Sequence, residues 1–353
     1  MEASSQQGCN EKAGAKSGLS ILARPESTAL VGTVVVFSFF AFFTGHAGFL
    51  TLPMTRNYLE VGAEIGIIAA PVTLLLVAGE FDLSVGANVA LSQSILGYLM
   101  VYGGWPVADA FLAAILIASV VGAVNGILVV KTKLPSFIIT LAMLFILRGI
   151  AQGGLRMLVG TTTIDGVRDH ASEDRLSFLF ASSIGPFSVS LVWWLVVTML
   201  GAWVLEKTAF GNWIFATGGD RRAALQLGVP VQVVKVTLYI AVAVSTVFVA
   251  ALDIFAINQS DANAATGREF EVVTAAVIGG ALLTGGYGSP IGSFLGALLF
   301  GMVEQGFFFT PLPDVWFMTF LGVVLLLAVL VNNYTRLKAL KPRRSGDIGR
   351  TLP

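Results

Sequence analysis

The chain has 353 residues, 56% of them hydrophobic and 12% charged, and its 21 basic and 21 acidic residues cancel. A soluble domain carries roughly twice that charged fraction, and nothing in a neutral balance suggests nucleic-acid binding. Its single cysteine, Cys9, rules out an internal disulfide framework and a cysteine metal cluster.

Residues 1–27 are polar and rich in Ser, Gly, Lys and Glu, and are expected to form a disordered tail. From residue 28 onward, long apolar runs alternate with short polar breaks. A bilayer-spanning helix needs roughly 20 mostly apolar residues. In hydrocarbon every backbone polar group must be paired internally, which leaves helices or closed barrels. The runs are continuous and lack the ten-residue alternation of a barrel. No signal-peptide cleavage pattern follows the first run, so it is read as a retained span. The expected fold is all-α, a polytopic transmembrane bundle over residues 28–335 followed by a basic tail, 336–353. The spans lie near 28–46, 59–78, 83–102, 107–130, 134–152, 187–206, 233–256, 271–285, 290–310 and 314–333, about ten in all. Glycine and polar residues interrupt the third, eighth and ninth.

Basic residues concentrate on the cytoplasmic side of membrane proteins. With the N-terminus inside, fifteen Lys and Arg fall in inside segments and five in outside ones. Both termini are therefore expected to be cytoplasmic. Two polar segments stand out: 153–186, expected outside, and 207–232, expected inside. Loops of this length are more often functional or disordered than idle, so each is a candidate docking surface as well as a candidate plain connector.

Ordinary catalytic constellations are missing from the sequence. Gly14-Ala15-Lys16-Ser17 lacks the spacing and preceding strand of a phosphate-binding loop. His46 and His170 lie far apart, so neither a metal site nor histidine catalysis is expected. Five charged residues fall within or near apolar runs: Glu60, Glu64, Arg148, Asp253 and Glu304. Such groups face a pathway or a partner, or anchor a span end at the interface. Glycines recur at four-residue spacing at Gly62/Gly66, at Gly122/Gly126 and at Gly288/Gly292/Gly296. The last set is expected to form a ladder on one helix face. These small residues suit close helix packing, within one subunit or between two. Segment 79–86, GEFDLSVG, places Glu80 and Asp82 beside glycines between two apolar runs. Ser84 is placed to cap the next helix. A helix broken here would line or brace a path.

The GEFDLSVG stretch resembles the G-x-[I/F]-D-L-S-V-G signature of permeases from ribose-type sugar ABC importers, the inner-membrane components of binding-protein-dependent transport. Four further stretches agree in order and spacing: NGILVVKTKLPSFIITLAMLFILRG (125–149), TAFGNWIFATGGDRRAALQLGV (208–229), TGREFEVVTAAVIGGALLTGGYGSPIGSFLGAL (266–298) and LLLAVLVNN (325–333). The chain departs from the family at Asp220, usually Asn, and at Glu269-Phe270-Glu271, usually E-L-D.

The resemblance implies a multi-pass permease of the bacterial inner membrane that dimerises with a second copy or a paralogue. A periplasmic sugar-binding protein delivers cargo, and a cytoplasmic ABC ATPase drives transport by alternating access. The chain itself carries no catalytic site or cofactor; ATP and magnesium belong to the partner. Gly79, Asp82, Ser84 and Gly86 are the signature positions. Segment 207–232 carries the coupling helix, with Gly218, Gly219, Asp220, Arg221, Arg222, Ala223, Ala224, Leu227 and Gly228 as coupling residues. The spacing predicts a short helix over 221–227, stopped by Gly228 and Pro230.

A sugar path needs groups that both donate and accept hydrogen bonds, as side-chain amides do. Asn88, Gln93, Asn258, Gln305 and Glu304 are the candidates, and the alternative role for each is to join neighbouring helices. Three other functions stay open: a branched-chain amino acid permease, a proton-coupled secondary transporter and an integral-membrane enzyme. The identity of the sugar is not encoded in these features.

Overall fold

The computed structural model describes residues 25–171, 174–310, 313–324, 326, 327 and 330. Residues 1–24 with Cys9, the tail 336–353 and most of the stretch 325–333 lie outside the described residues, while Pro25, Glu26 and Ser27, expected in the polar tail, open the first helix.

Helix α1 spans Pro25–Thr44 and α2 spans Leu52–Val77. Proline stands in the first turn of α2, where no N–H is needed for an intrahelical bond. Gly79, at φ 82°, ends that helix in a left-handed conformation open to glycine. Helix α3, Val85–Gly97, runs on through a π turn, Tyr98–Tyr102. Helices α4, Val107–Thr132, and α5, Ser136–Val159, follow. Two small antiparallel ribbons interrupt the helices. Strand β1, Thr163–Asp165, pairs with β4, Gln259–Asp261; β2, Ser183–Ile184, pairs with β3, Phe187–Ser188. The second half contains α6, Ser190–Lys207; α7, Ala209–Gly219; α8, Arg221–Gln226; and α9, Val231–Ile257. Helices α10, Arg268–Ile278, and α11, Pro290–Phe307, complete the named set, and residues 317–324 are helical.

Six helices among the described residues are long and apolar enough to cross a membrane: α2, α3 with its π turn, α4, α5, α6 and α9. A shorter apolar helix covers Ala29–Thr44. The other expected spans fall on α10, α11 and the partly described segment from 314. The eighth, expected over 271–285, is helical only to Ile278. Gly279 and Gly280 follow, and Gly280 has a φ of 94°, so the chain turns there. Segment 207–232, read from sequence as a polar connector, also contains the whole of α7.

Helices α2, α3 and α9 form the interior. Helix α9 packs along α4, α3 and α2, and α11 packs along α2. Helices α4, α5 and α6 show one buried stripe each and turn large apolar side chains outward, among them Leu116, Val120, Phe145, Met199 and Trp203. Hydrocarbon suits that surface, since lipid tails cost such side chains nothing.

The glycine pairs act inside this chain. A Cβ at Gly122 would stand 2.6 Å from the Tyr239 carbonyl oxygen, and one at Gly126 2.7 Å from Val236 Cα. These two residues let α4 lie directly on α9. Gly62 and Gly66 make room for Trp194 of α6, which stacks on Phe294 at 4.0 Å between centroids. The expected ladder of Gly288, Gly292 and Gly296 is corrected. Gly292 and Gly296 of α11 pack against the α10 backbone at Gly279 and Ala275, but Gly288 precedes the helix, which starts at Pro290.

Two breaks position the candidate site. Beyond α2, residues 80–84 belong to neither helix nor strand, and α3 starts inside the bundle. Asn125, two turns before the end of α4, donates to Ser84 Oγ at 2.9 Å, and Phe81 O accepts from Tyr239 Oη of α9 at 2.9 Å. Beyond α9, Asn258 takes a left-handed conformation at φ 56° and an irregular stretch leads to α10. Ala264 O there accepts from Arg148 Nη1, midway along α5, at 2.6 Å. Two helices thus begin in the interior, from opposite ends of the bundle. Gly86, in the first turn of α3, lies against Glu269 in the first turn of α10; a side chain at 86 would overlap that carboxylate. Irregular backbone at such depth is tolerated where it is buried in protein or lines a cavity.

Candidate functional site

Residues 80–84 of the signature segment are each held by a neighbouring side chain or by one another. Phe81 N donates to Ser136 Oγ at 3.0 Å and Leu83 N to Thr140 Oγ1 at 3.1 Å, both on α5. Asp82 Oδ1 accepts from Ser84 N at 2.8 Å and from Ser84 Oγ at 2.6 Å. Ser84 does occupy the N-cap position of α3, but its side chain makes no capping bond; it is spent on Asp82 and Asn125. Glu80 is paired with Lys235 of α9, with side-chain exposures of 10% and 7%. A buried ion pair of this kind fixes geometry more than it adds stability. Gly79 has no side chain to hold, and its role is the turn itself.

The residues that the resemblance assigns to coupling lie at the same end of the bundle. Gly218 and Gly219 close α7, and Gly218 lies against Gly79 and the Val77 carbonyl. Asp220 caps α8, its Oδ1 accepting from Arg222 N at 2.8 Å and Ala223 N at 3.1 Å. Those two N–H groups, Ala223 first, hold the exposed Asp220 carboxyl below the usual carboxylate range. Ala224 is the one buried residue of α8. Arg221, Arg222, Ala223, Leu225 and Leu227 face outward, Leu227 at 82% exposure, and Gly228 ends the turn at φ 78°. The helix is one residue shorter than the spacing predicts, with Leu227 as its C-cap.

The five path candidates separate. Asn88 of α3 donates through Nδ2 to Thr246 Oγ1 at 2.7 Å and Ala243 O at 3.2 Å, both on α9. Gln93 uses both ends of its amide. Its Nε2 donates to Asp253 Oδ2 at 3.1 Å, and its Oε1 accepts from Asp261 N at 3.2 Å. Asn258 lies at the far end of the bundle. It accepts from Arg168 N at 2.7 Å and donates to Asp169 Oδ2 at 3.0 Å, tying the 163–170 segment to the end of α9. Glu304 and Gln305 sit half-buried on α11.

Sequence reasoning singled out Glu64, Asp253 and Glu304 but missed the arginine that joins them. Arg268, at the first turn of α10, pairs with Glu64 of α2 at 3.1 Å and with Glu271 at 3.5 Å. Asp253 and Glu304 lie within electrostatic reach of the same guanidinium. Carboxylates of α2 and α10 thus hold one arginine, and those of α9 and α11 lie in its field. The i,i+3 spacing of Arg268 and Glu271 was the only local signal; the sequence reading placed Arg268 in an outside connector. This arrangement sets several hydrogen-bond acceptors beside one fixed donor. Among the described residues, no group of His, Cys, Asp and Glu is arranged to hold a metal ion.

A family model described as branched-chain amino acid transport system / permease component matches residues 54–329. The chain is 31% identical to the L-arabinose ABC transporter permease protein of Azospirillum brasilense, over 82% of each chain. It is 29% identical to the ribose import permease protein of Escherichia coli strain K12, over 87% of this chain and 94% of that one. With the autoinducer 2 import system permease protein of Salmonella typhi it shares 32% identity, over 87% and 84%. No solved structure matches the chain. The chain belongs to the permease-component family of ABC importers and is a transport subunit rather than an enzyme.

Proposed function

We propose that this chain forms the membrane path of a bacterial inner-membrane importer for a monosaccharide or related polyol, worked by a separate cytoplasmic ABC ATPase. ATP and magnesium act in that ATPase. A periplasmic binding protein delivers cargo, and a second copy or paralogue completes the path. The membrane domain is 28–335, flanked by polar and basic cytoplasmic tails, and lipid surrounds α4, α5 and α6. The reading has about ten spans, with the Gly79 end facing the cytoplasm.

One observation carries this reading: a capped, outward-facing helix, α8, sits at one end of a bundle whose interior holds two helix starts and the Arg268 cluster. An exposed helix bearing Arg221, Arg222, Leu225 and Leu227 suits a groove on a partner protein. Half-helix ends in a bundle interior are a recurring way to present polar groups to cargo in transporters. The kinship to arabinose, ribose and autoinducer-2 permeases favours sugar-like cargo over an amino acid. Alternating access then follows from moving α8 against the interior helices.

The test is uptake by proteoliposomes holding the permease, its ATPase and its binding protein. Pentoses, deoxyhexoses, polyols and branched-chain amino acids are offered in turn. Uptake of a sugar or polyol that needs internal ATP and is stopped by vanadate supports the reading. Uptake driven by a proton gradient without the ATPase overturns it, and ATP-dependent uptake of amino acids alone moves the cargo class.

A further inference from the structure

Three turns from distant parts of the chain meet at the Gly79 end without a side chain between them. Gly79, Gly285 and Gly286 have φ of 82°, 83° and 75°, a region that favours glycine. Gly286 N donates to Val77 O at 2.8 Å. A Cβ at Gly285 would stand 2.9 Å from Gly218 O and 3.0 Å from Gly79 Cα. One at Gly218 would overlap the Val77 carbonyl and stand 2.8 Å from Gly286 N. Backbone therefore rests on backbone in all three directions. The neighbouring Gly219 is different, since a Cβ there would meet nothing within 4 Å.

The placement matters because Gly218 lies in the last turn of α7, two residues before the Asp220 cap of α8. The other end of α8 leads through residues 227–230 straight into α9. Helix α9 holds the same signature segment, through Lys235 to Glu80 and through Tyr239 Oη to Phe81 O. Both ends of α8 thus lead to residues 79–86, the strand of backbone from which α3 starts. A contact between side chains can yield by changing rotamers. A contact between backbones with no Cβ has no such slack, and packed interfaces of this kind shift as units.

We propose that residues 79–86 receive the motion of α7 and α8, and that Gly218, Gly285 and Gly286 are positioning residues that clamp the three turns into one rigid body. The clamp passes each displacement of α8 to the base of α3. The inference rests on the reading of α8 as the ATPase-coupling helix.

The experiment uses the full transporter in proteoliposomes and measures sugar taken up per ATP hydrolysed. In the Gly218→Ala complex, ATP hydrolysis persists while uptake per ATP falls about tenfold or more, the scale on which an overpacked contact shifts a two-state equilibrium. Gly149→Ala on α5, where a Cβ would also meet nothing within 4 Å, keeps the parent ratio. An assembled Gly218→Ala complex with the parent ratio overturns the proposal. A second arm covers the case in which that variant does not assemble. It reads hydrogen exchange at the Gly286 amide of the parent transporter, at rest and during ATP turnover, since Gly286 N donates to Val77 O. A rigid clamp keeps that amide protected throughout turnover. Loss of protection during turnover overturns the clamp. Retained uptake by the R221E/R222E double variant sinks the coupling reading itself, whatever the exchange shows.

Discussion

Gln93 and Gln305 look equivalent in the sequence, two amides on apolar helices, and the structure gives them different surroundings. Gln93 joins α3 to Asp253 of α9 and to the backbone of Asp261. Interhelical bonds in membranes average about 0.6 kcal/mol each, so Gln93→Ala is expected to cost on the order of 1 kcal/mol. Thermal unfolding in detergent should drop while the cargo preference of surviving transporter stays put. Gln305→Ala, half-buried next to Glu304 on α11, should do the reverse: unchanged melting and an altered ranking of sugars in competition uptake. A common fall in stability for both would place the path away from α11. Asp220 adds a pH test. Its folded-state value is depressed, so the α8 cap is present at neutral pH and above the ordinary carboxylate range. It is lost only as pH falls through the lower, folded value. Amide protection at Arg222 and Ala223 should therefore survive mild acid and vanish below the usual carboxylate range. Asp220→Asn, also a good cap, should keep that protection at every pH. Protection that titrates near neutrality would assign it to another group. The α8 helix was legible because its Arg-Arg-Ala-Ala start and later Gly-Val-Pro are local signals; the Asp220 cap went unread, although Asp ahead of a helix is a cap signal. Arg268 was not legible, because its partners Glu64 and Glu304 lie far off in sequence.

Helix pairs are set by what their glycines omit. Gly122→Ala would press a methyl on the Tyr239 carbonyl and neighbouring backbone of α9, which cannot rotate away. Overpacking of this kind typically costs about 1–3 kcal/mol. Gly153→Ala on α5, where a Cβ would meet nothing within 4 Å, should leave the isolated permease at its parent melting temperature. Equal melting of the two variants would mean that α4 does not rest on α9 as described. Long apolar runs made α2, α4, α5 and α9 readable, since hydrophobic length alone decides them. The breaks were harder. GEFDLSVG betrayed its discontinuity by its charges, whereas α10 read as a longer span because Ala281, Leu282 and Leu283 continue the apolar run past the turn at Gly279 and Gly280. Helix α7 went unread for the opposite reason. Its composition, AFGNWIFATGG, has three glycines and no charge, and tertiary packing of Ile214 and Thr217 rather than propensity makes it a helix.

Orientation is a property of the whole molecule, and it decides which end meets which partner. If the Gly79 end is cytoplasmic, the chain after Arg336 is cytoplasmic too, and the ends of α5 and α9 with their β1–β4 ribbon face the periplasm. A fluorescent protein fused after residue 336 should glow, and alkaline phosphatase at the same place should be inactive. The opposite pair of results inverts the bundle and puts α8 out of reach of any ATPase. The periplasmic end then supplies the binding-protein contact. Arg168 is exposed there, and its backbone is pinned by Asn258. Arg175 is exposed as well. Asp174 makes a poor probe position, because its carboxylate holds Val107 N and Leu176 N at 2.8 Å each, fixing the start of α4. Photo-crosslinkers at Arg168 and Arg175 should thus capture the cargo-loaded binding protein without loosening the fold. Crosslinks that arise only from residues 262–267 would move the docking surface over the α10 start. In that arrangement the binding protein would press on the loop that carries Arg268. Delivery and opening of the path would then be one mechanical event, which the 168 and 175 positions allow to remain two.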